Sequence, residues 1–284
     1  MSGFAADWLT LREPADRRAR DPALLDAVAA HLAGRGPVRV TDLACGTGST
    51  FRALSPRLPA RQSWRLVDHD PALLEAAARC GGGEVRVETL RANLSTSLED
   101  VIAMPADLVT TSAFLDLVPD DWLGRLAAAA AASSRPLYAA LSYDGRVGCE
   151  PADPLDAEVL AAFDAHQRRD KGLGGALGPA AAGVAARRLV DAGFEVACAR
   201  ADWRLGPEDA ALQRRLVLGW HGAVAETGLV DAGALDAWLA RRLAAIDEGR
   251  SRLSVGHVDL WATPRADGRS AARSTSQSTS PPSG

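Results

Sequence analysis

The run Val38-Arg-Val-Thr-Asp-Leu-Ala-Cys-Gly-Thr-Gly48 constrains this chain more than any other. Its first half reads as a β-strand ending on an acid, Asp42, and its second half is a loop of small residues, Ala44, Gly46 and Gly48. Ser49 and Thr50 then open a helix. Residues without bulk permit a sharp turn and a close approach by a ligand, and the first N–H groups of the new helix face it. A carboxylate beside that turn offers nothing to an anion, but it attracts a ligand carrying an ammonium group. Strand, tight loop and helix in that order are the opening of an α/β unit.

The pattern then recurs. Residues 63–67 form a second strand ending at Asp68, residues 85–90 a third, 106–112 a fourth and 136–143 a fifth. Asp21-Pro22 and Asp70-Pro71 each supply a capping side chain followed by proline at the first helical position. Short connections between alternating strands and helices require a mostly parallel sheet covered on both faces, and ligands then gather at the carboxyl ends of the strands. Asp42, Asp68, Asn93, Ser112 and Tyr143 all fall at or near such ends.

Asp68 alone does not separate ligand classes, because nicotinamide enzymes also place an acid there to hold ribose hydroxyls. The loop does separate them. A G-x-G-x-x-G turn starting at Gly46 would need a third glycine where Phe51 stands. This argues against a pyrophosphate cradle and leaves a dinucleotide-dependent oxidoreductase as the weaker reading.

From Pro37 to about Tyr143 the chain resembles the class I S-adenosylmethionine-dependent methyltransferases, whose first motif is an acid followed by spaced glycines. The resemblance implies an α/β fold with a seven-stranded, mostly parallel, doubly wound sheet of order 3-2-1-4-5-7-6, carrying helical cap insertions. It implies S-adenosyl-L-methionine as cofactor, with Asp42 near its amino group and Ala44, Gly46, Thr47 and Gly48 around its methionine part. Asp68 would hold the ribose, and His69, Asn93 and Leu94 would lie by the adenine. Ser112 and Phe114, with Thr111, would form the wall after strand four. Ala44 stands at the first glycine position, which the chain tolerates if the backbone there keeps φ below zero.

Methyl transfer from a sulfonium is an in-line displacement in which the protein supplies alignment, desolvation and, for many acceptors, a base. The acceptor should lie beneath a cover formed by a lid-like insertion, 144–178, a helical insertion, 206–250, and the N-terminal helical segment, 1–36, including Phe4, Trp8, Leu9 and Leu11. Within the methyltransferase domain, 37–265, the expected acceptor contacts are Tyr143, Asp144, Asp164, His166, Gln167, Arg169, Asp170 and Lys171, together with Asp116 after strand four. His166 is the expected base, since imidazole titrates near neutrality, and Tyr143 is the second candidate catalytic group. A helix is expected over residues 163–171. The tail, 266–284, is rich in Ser, Thr, Pro and Gly and reads as disordered.

Composition trims the alternatives. A net charge of −4 gives no field for a polyanion, so nucleic acid and anionic membrane are not expected partners. The four cysteines show no C-x-x-C spacing, so no metal site is expected and reduced thiols in the cytoplasm are. Lys171 is the only lysine of the chain. The sequence therefore reads as an enzyme that methylates an O or N atom of a small molecule. A non-catalytic protein that binds adenosylmethionine or its demethylated product is the rival from a different class.

Overall fold

The computed structural model describes residues 6–265, so Phe4 and the tail 266–284 lie outside the described residues. Two helices come first, α1 (Ala6–Ala19) and α2 (Pro22–Leu32). The alternating region follows: β1 (Val38–Leu43), α3 (Ser49–Leu54), β2 (Gln62–Asp68), α4 (Pro71–Ala77), β3 (Val85–Arg91), α5 (Leu98–Ala103), β4 (Leu108–Ser112) and α6 (Asp120–Ser133). The second half holds β5 (Leu137–Glu150), α7 (Asp156–Gln167), α8 (Ala181–Asp191), β6 (Phe194–Arg200), β7 (Trp203–Leu205), α9 (Ala210–Ala225), α10 (Ala232–Asp247) and β8 (Arg252–Pro264).

The strands form one sheet in the order β3-β2-β1-β4-β5-β8-β6, with the short β7 paired to β8 off that path. The first five are mutually parallel, and β8 runs antiparallel to both β5 and β6. This is the expected order, with β8 in the place of the seventh strand and one three-residue strand more. The sense of the order reverses between β1 and β4, which opens a crevice at their carboxyl ends.

Local signals held where they rest on capping chemistry. Asp21 Oδ1 accepts from the Leu24 N–H at 2.8 Å and Asp70 Oδ1 from the Ala72 N–H at 2.8 Å, each with proline next in line. One apolar layer packs α5, α6 and α8 on the sheet through Trp122, Leu126 and Leu189, and another packs α2, α3 and α4 through Leu32, Phe51 and Leu74.

The region after Tyr143 departs from expectation. β5 does not stop there but runs on to Glu150, because β8 stays paired with it from Val147↔Val255 to Glu150↔Arg252. The helix expected over 163–171 begins at Asp156 and ends at Gln167. Val159 and Ala162 are the reason, since they face a third apolar cluster with Trp220, Val224 and Trp238 of α9 and α10. This cluster, continued by Ala15 of α1, sets a cap over the carboxyl ends of the strands.

Candidate active site

Beneath the cap lies a cavity of about 1000 Å³, lined from one end by the loop after β1 and from the other by α1, α7 and α9. That is the upper end of the range for small-molecule sites, which suits a nucleoside cofactor together with an acceptor.

Backbone geometry at the strand tips is unusual. Ala44 adopts φ 51°, Ala113 φ 50° and Leu141 φ 57°, and these three follow or interrupt the neighbouring strands β1, β4 and β5. The condition that φ stay below zero at Ala44 is therefore not met, and the alanine sits in the left-handed region. The turn reverses so tightly that the next N–H, of Cys45, donates to the Val67 carbonyl at 2.9 Å, and this demands a left-handed residue whatever its side chain. Leu141 is held by an acid: its N–H donates to Asp259 Oδ1 at 2.8 Å, and Tyr138 and the Asp21 N–H both donate to Oδ2. All three left-handed residues line the cavity. Clustered strain of this kind is characteristic of functional sites.

Asp68 lines the cavity at the tip of β2. Its Oδ2 accepts from the Gly46 N–H at 2.9 Å and its Oδ1 from the Asp70 N–H at 3.0 Å, so it also fixes the loop. A carboxylate has acceptor capacity beyond two backbone donors. His69 stands beside it, Nδ1 3.1 Å from Asp68 Oδ1. Ala44, Gly46, Thr47, Leu94, Ser112 and Phe114 reach the cavity as well. A Cβ on Gly46 would meet Leu9 at 3.0 Å, which shows how closely α1 covers the loop.

Three expected cofactor contacts are placed differently. Asp42 is fully buried behind the wall, where it accepts from Thr110 Oγ1 at 2.7 Å and leaves Oδ2 without a partner. Burial pushes its carboxyl up to about 6, against the Thr110 hydrogen bond and the nearby Arg20 guanidinium. Gly48 does not line the cavity; its bare Cα at φ 89° makes room for Cys80 Sγ, which a Cβ would meet at 2.8 Å. Asn93 does line it, but its carboxamide oxygen accepts from the N–H and hydroxyl of Ser95 at 3.0 and 2.8 Å, the short-range turn that asparagine favours.

On the acceptor side, Tyr143, Asp116, His166, Gln167, Asp170 and Lys171 line the cavity, whereas Asp144, Asp164 and Arg169 do not. Asp144 is consumed by Arg146, accepting from its backbone N–H at 3.0 Å and from Nε at 2.8 Å. Arg169 is exposed and donates to the Glu226 carbonyl at 3.2 Å. Asp164 sits one step back, accepting from the Tyr143 hydroxyl at 2.9 Å; burial and that carboxylate together push the phenol up. His166 has both ring nitrogens engaged, Nε2 3.0 Å from Glu226 and Nδ1 3.4 Å from the Lys171 ammonium. A carboxylate therefore stands at one ring nitrogen and an ammonium at the other. The expected base is thus occupied in this arrangement.

Sequence reasoning missed several lining groups. Arg12 of α1 chelates Asp16 at 3.0 and 3.1 Å and lies 4.8 Å from the Trp203 ring centroid. His257 of β8 lines the cavity with Nδ1 unpartnered, and burial holds its imidazole down at about 3, so it is neutral. Trp220 and Phe163 complete that end. These residues carry no motif, and no local signal marks them. Among the described residues no cluster of His, Cys, Asp or Glu could hold a metal ion, and no helix is long and apolar enough to cross a membrane.

No protein-family model matches the chain. It is 36% identical over 108 residues to a trans-aconitate 2-methyltransferase from Streptomyces avermitilis, a match spanning 37% of this chain and 38% of that relative. A solved structure of a cyclopropane-fatty-acyl-phospholipid synthase-like protein from Lactobacillus casei superposes with a TM-score of 0.52 at 13% identity, covering 86% of this chain and 90% of the other. The architecture is the Rossmann-like fold of the class I methyltransferases.

Proposed function

We propose that this chain, built on the class I methyltransferase fold, is an enzyme that transfers a methyl group from S-adenosyl-L-methionine to an O or N atom of a small molecule. The observation that carries this reading is Asp68, a carboxylate at the tip of β2 that lines the cavity while gripping the Gly46 N–H. An acid in that position suits vicinal ribose hydroxyls, and the loop it grips separates the ligand classes. Phe51 reinforces the point: it is buried with its ring 5.1 Å from Trp64, so the third glycine of a dinucleotide loop is replaced by core packing.

The residues present fit the cofactor. The loop Ala44–Thr47 and Ser112 would flank the methionine part, Asp68 and His69 the ribose, and Leu94 and Phe114 the base. Asp42 would act from behind the wall. Its uncompensated Oδ2 and the neighbouring Thr50, which does line the cavity, favour a positive group in front of them. When bound, adenosylmethionine supplies an activated methyl group. The protein's part is to align it and to exclude water, which the cap of α1, α7 and α9 is placed to do.

Calorimetric titration with adenosylmethionine and with NAD tests the reading. Saturable binding of the first and none of the second is expected; the reverse would overturn it. Incubation with a metabolite panel then separates an enzyme from a binding protein, since a protein that binds the cofactor but never releases adenosylhomocysteine is not a methyltransferase.

A further inference from the structure

Five aromatic side chains, Trp8, Tyr143, Phe163, Trp203 and Trp220, line the acceptor end of the cavity together with the His257 imidazole, in a chain that is only 5% aromatic. All of these rings but Trp8 touch in series: Trp220 to Phe163 at 6.1 Å, Phe163 to Tyr143 at 6.0 Å, Tyr143 to His257 at 6.4 Å and His257 to Trp203 at 5.0 Å. Trp8 joins through the Arg12 guanidinium, which lies 5.9 Å from its centroid and 4.8 Å from that of Trp203. Such a wall offers faces and edges to a planar guest. His257 is neutral, so the wall itself adds no charge at working pH.

Of the cations lining this wall, Arg12 is the one matched by a carboxylate among the described residues. Arg12 is chelated by Asp16, and the Lys171 ammonium has the His166 Nδ1 at 3.4 Å. Arg215 belongs to the exposed rim on α9. Opposite them, after β4, Asp116 lines the cavity with Oδ1 shielded from solvent and without a hydrogen-bond partner. Among the described residues no cation forms an ion pair with Asp116, so a polyanionic acceptor would be repelled there. A neutral hydroxyl would satisfy it.

Resting on the methyltransferase reading, we propose that the acceptor is a neutral, planar aromatic compound bearing a hydroxyl group, seated against this wall with its hydroxyl on Asp116, which takes the proton as the methyl group arrives. In that step the acceptor O–H bond breaks and its proton passes to Asp116. The oxygen lone pair forms the new O–C bond, and the C–S bond breaks with its electron pair returning to sulfur. The products are a methyl ether and adenosylhomocysteine, and Asp116 then loses its proton to water.

The groups facing Asp116 set its working range. Burial pushes its carboxyl up to about 6, against the backbone N–H groups of Asp116 and Tyr143 and the positive charges of Arg12 on α1 and Lys171 on the cap. Turnover should therefore fall on the acid side of about pH 6.

The test uses the full chain loaded with adenosylhomocysteine and titrated with catechol, 2-naphthol and quercetin, with trans-aconitate as the carboxylate comparator. At least one phenol should bind more tightly than trans-aconitate, and Phe163→Leu should weaken it about two- to tenfold by removing one ring of the wall. With adenosylmethionine, Asp116→Asn should lower kcat for that phenol by about 10²- to 10⁴-fold and abolish the acid limb, while adenosylhomocysteine binds with unchanged Kd. Preference for trans-aconitate, or binding of none of the three phenols, overturns the proposal. So does an Asp116→Asn variant with wild-type turnover and pH profile. If wild-type protein fails to bind adenosylhomocysteine at all, the methyltransferase reading has failed first and this proposal falls with it.

Discussion

The proposed cofactor end of the cavity is assembled from the tips of four consecutive strands, between Ala44 and Phe114, whereas the proposed acceptor end draws on residues from Trp8 to His257. The first is backbone work: left-handed residues at the tips of β1 and β4, a glycine loop, and an acid that holds two N–H groups. The second is side-chain work, in which helices from distant parts of the chain meet over one apolar cluster and turn their remaining faces inward. Each end keeps one acid pushed up to about 6 by burial, Asp42 at one and Asp116 at the other. The difference teaches that one end of a cavity can be specified locally by strand tips and turns, while the other is specified by packing.

The sharpest way to break this comparison is Asp68→Ala. If the cofactor end depends on that one carboxylate, losing two hydrogen bonds to a charged group should cost about 3 to 5 kcal/mol, roughly a hundredfold or more in adenosylmethionine Kd by calorimetry. Unchanged affinity would remove Asp68 from the site.

Asp42→Asn probes the buried charge through stability. The folded carboxyl sits at about 6, above its ordinary value of 3.8, so the native state holds the proton more tightly across that window. Stability from this group is then lost as pH rises from about 4 to 6, by up to about 3 kcal/mol once both states are ionised. The Tm of the variant relative to wild type should therefore climb between pH 4 and pH 7, while adenosylmethionine binds more weakly. A Tm difference that does not vary with pH would show that Asp42 carries no such stress.

The smallest effect is expected at His166→Ala. Its partner Glu226 is exposed, and such pairs contribute about 1 kcal/mol or less. Steady-state kinetics with whichever acceptor is turned over should show KM raised about two- to fivefold, kcat within about twofold, and cofactor Kd unaltered. A kcat loss near a hundredfold would restore His166 as the base and erase the contrast with Asp116.

Legibility follows the same division. The run 38–48, the Asp-Pro helix starts and the acid twenty residues beyond Gly48 were all readable, because turns and caps are decided within a few residues. At Ala44 the loop residues alone do not give the sign of φ, since the hydrogen bond that forces it is accepted by Val67 on another strand. Asp42 and Asp144 look alike in sequence as acids at strand tips. One is paired to a threonine of β4 behind the wall and the other to the arginine two residues on, and neither faces the cavity. His257, Arg12 and Phe163 left no local trace.

What the amino-acid sequence determined alone was the alternation of strands and helices, the parallel sheet and the cofactor loop, because hydrophobic period, small residues and capping side chains act over short distances. Tertiary structure decided which polar groups are spent on neighbours and which remain free. Only packing of α1, α7, α9 and β8 onto one core sets the Lys171 ammonium against His166 and leaves Asp116 Oδ1 unpaired. Availability for chemistry is a property of the whole contact set, and no single stretch of chain contains it.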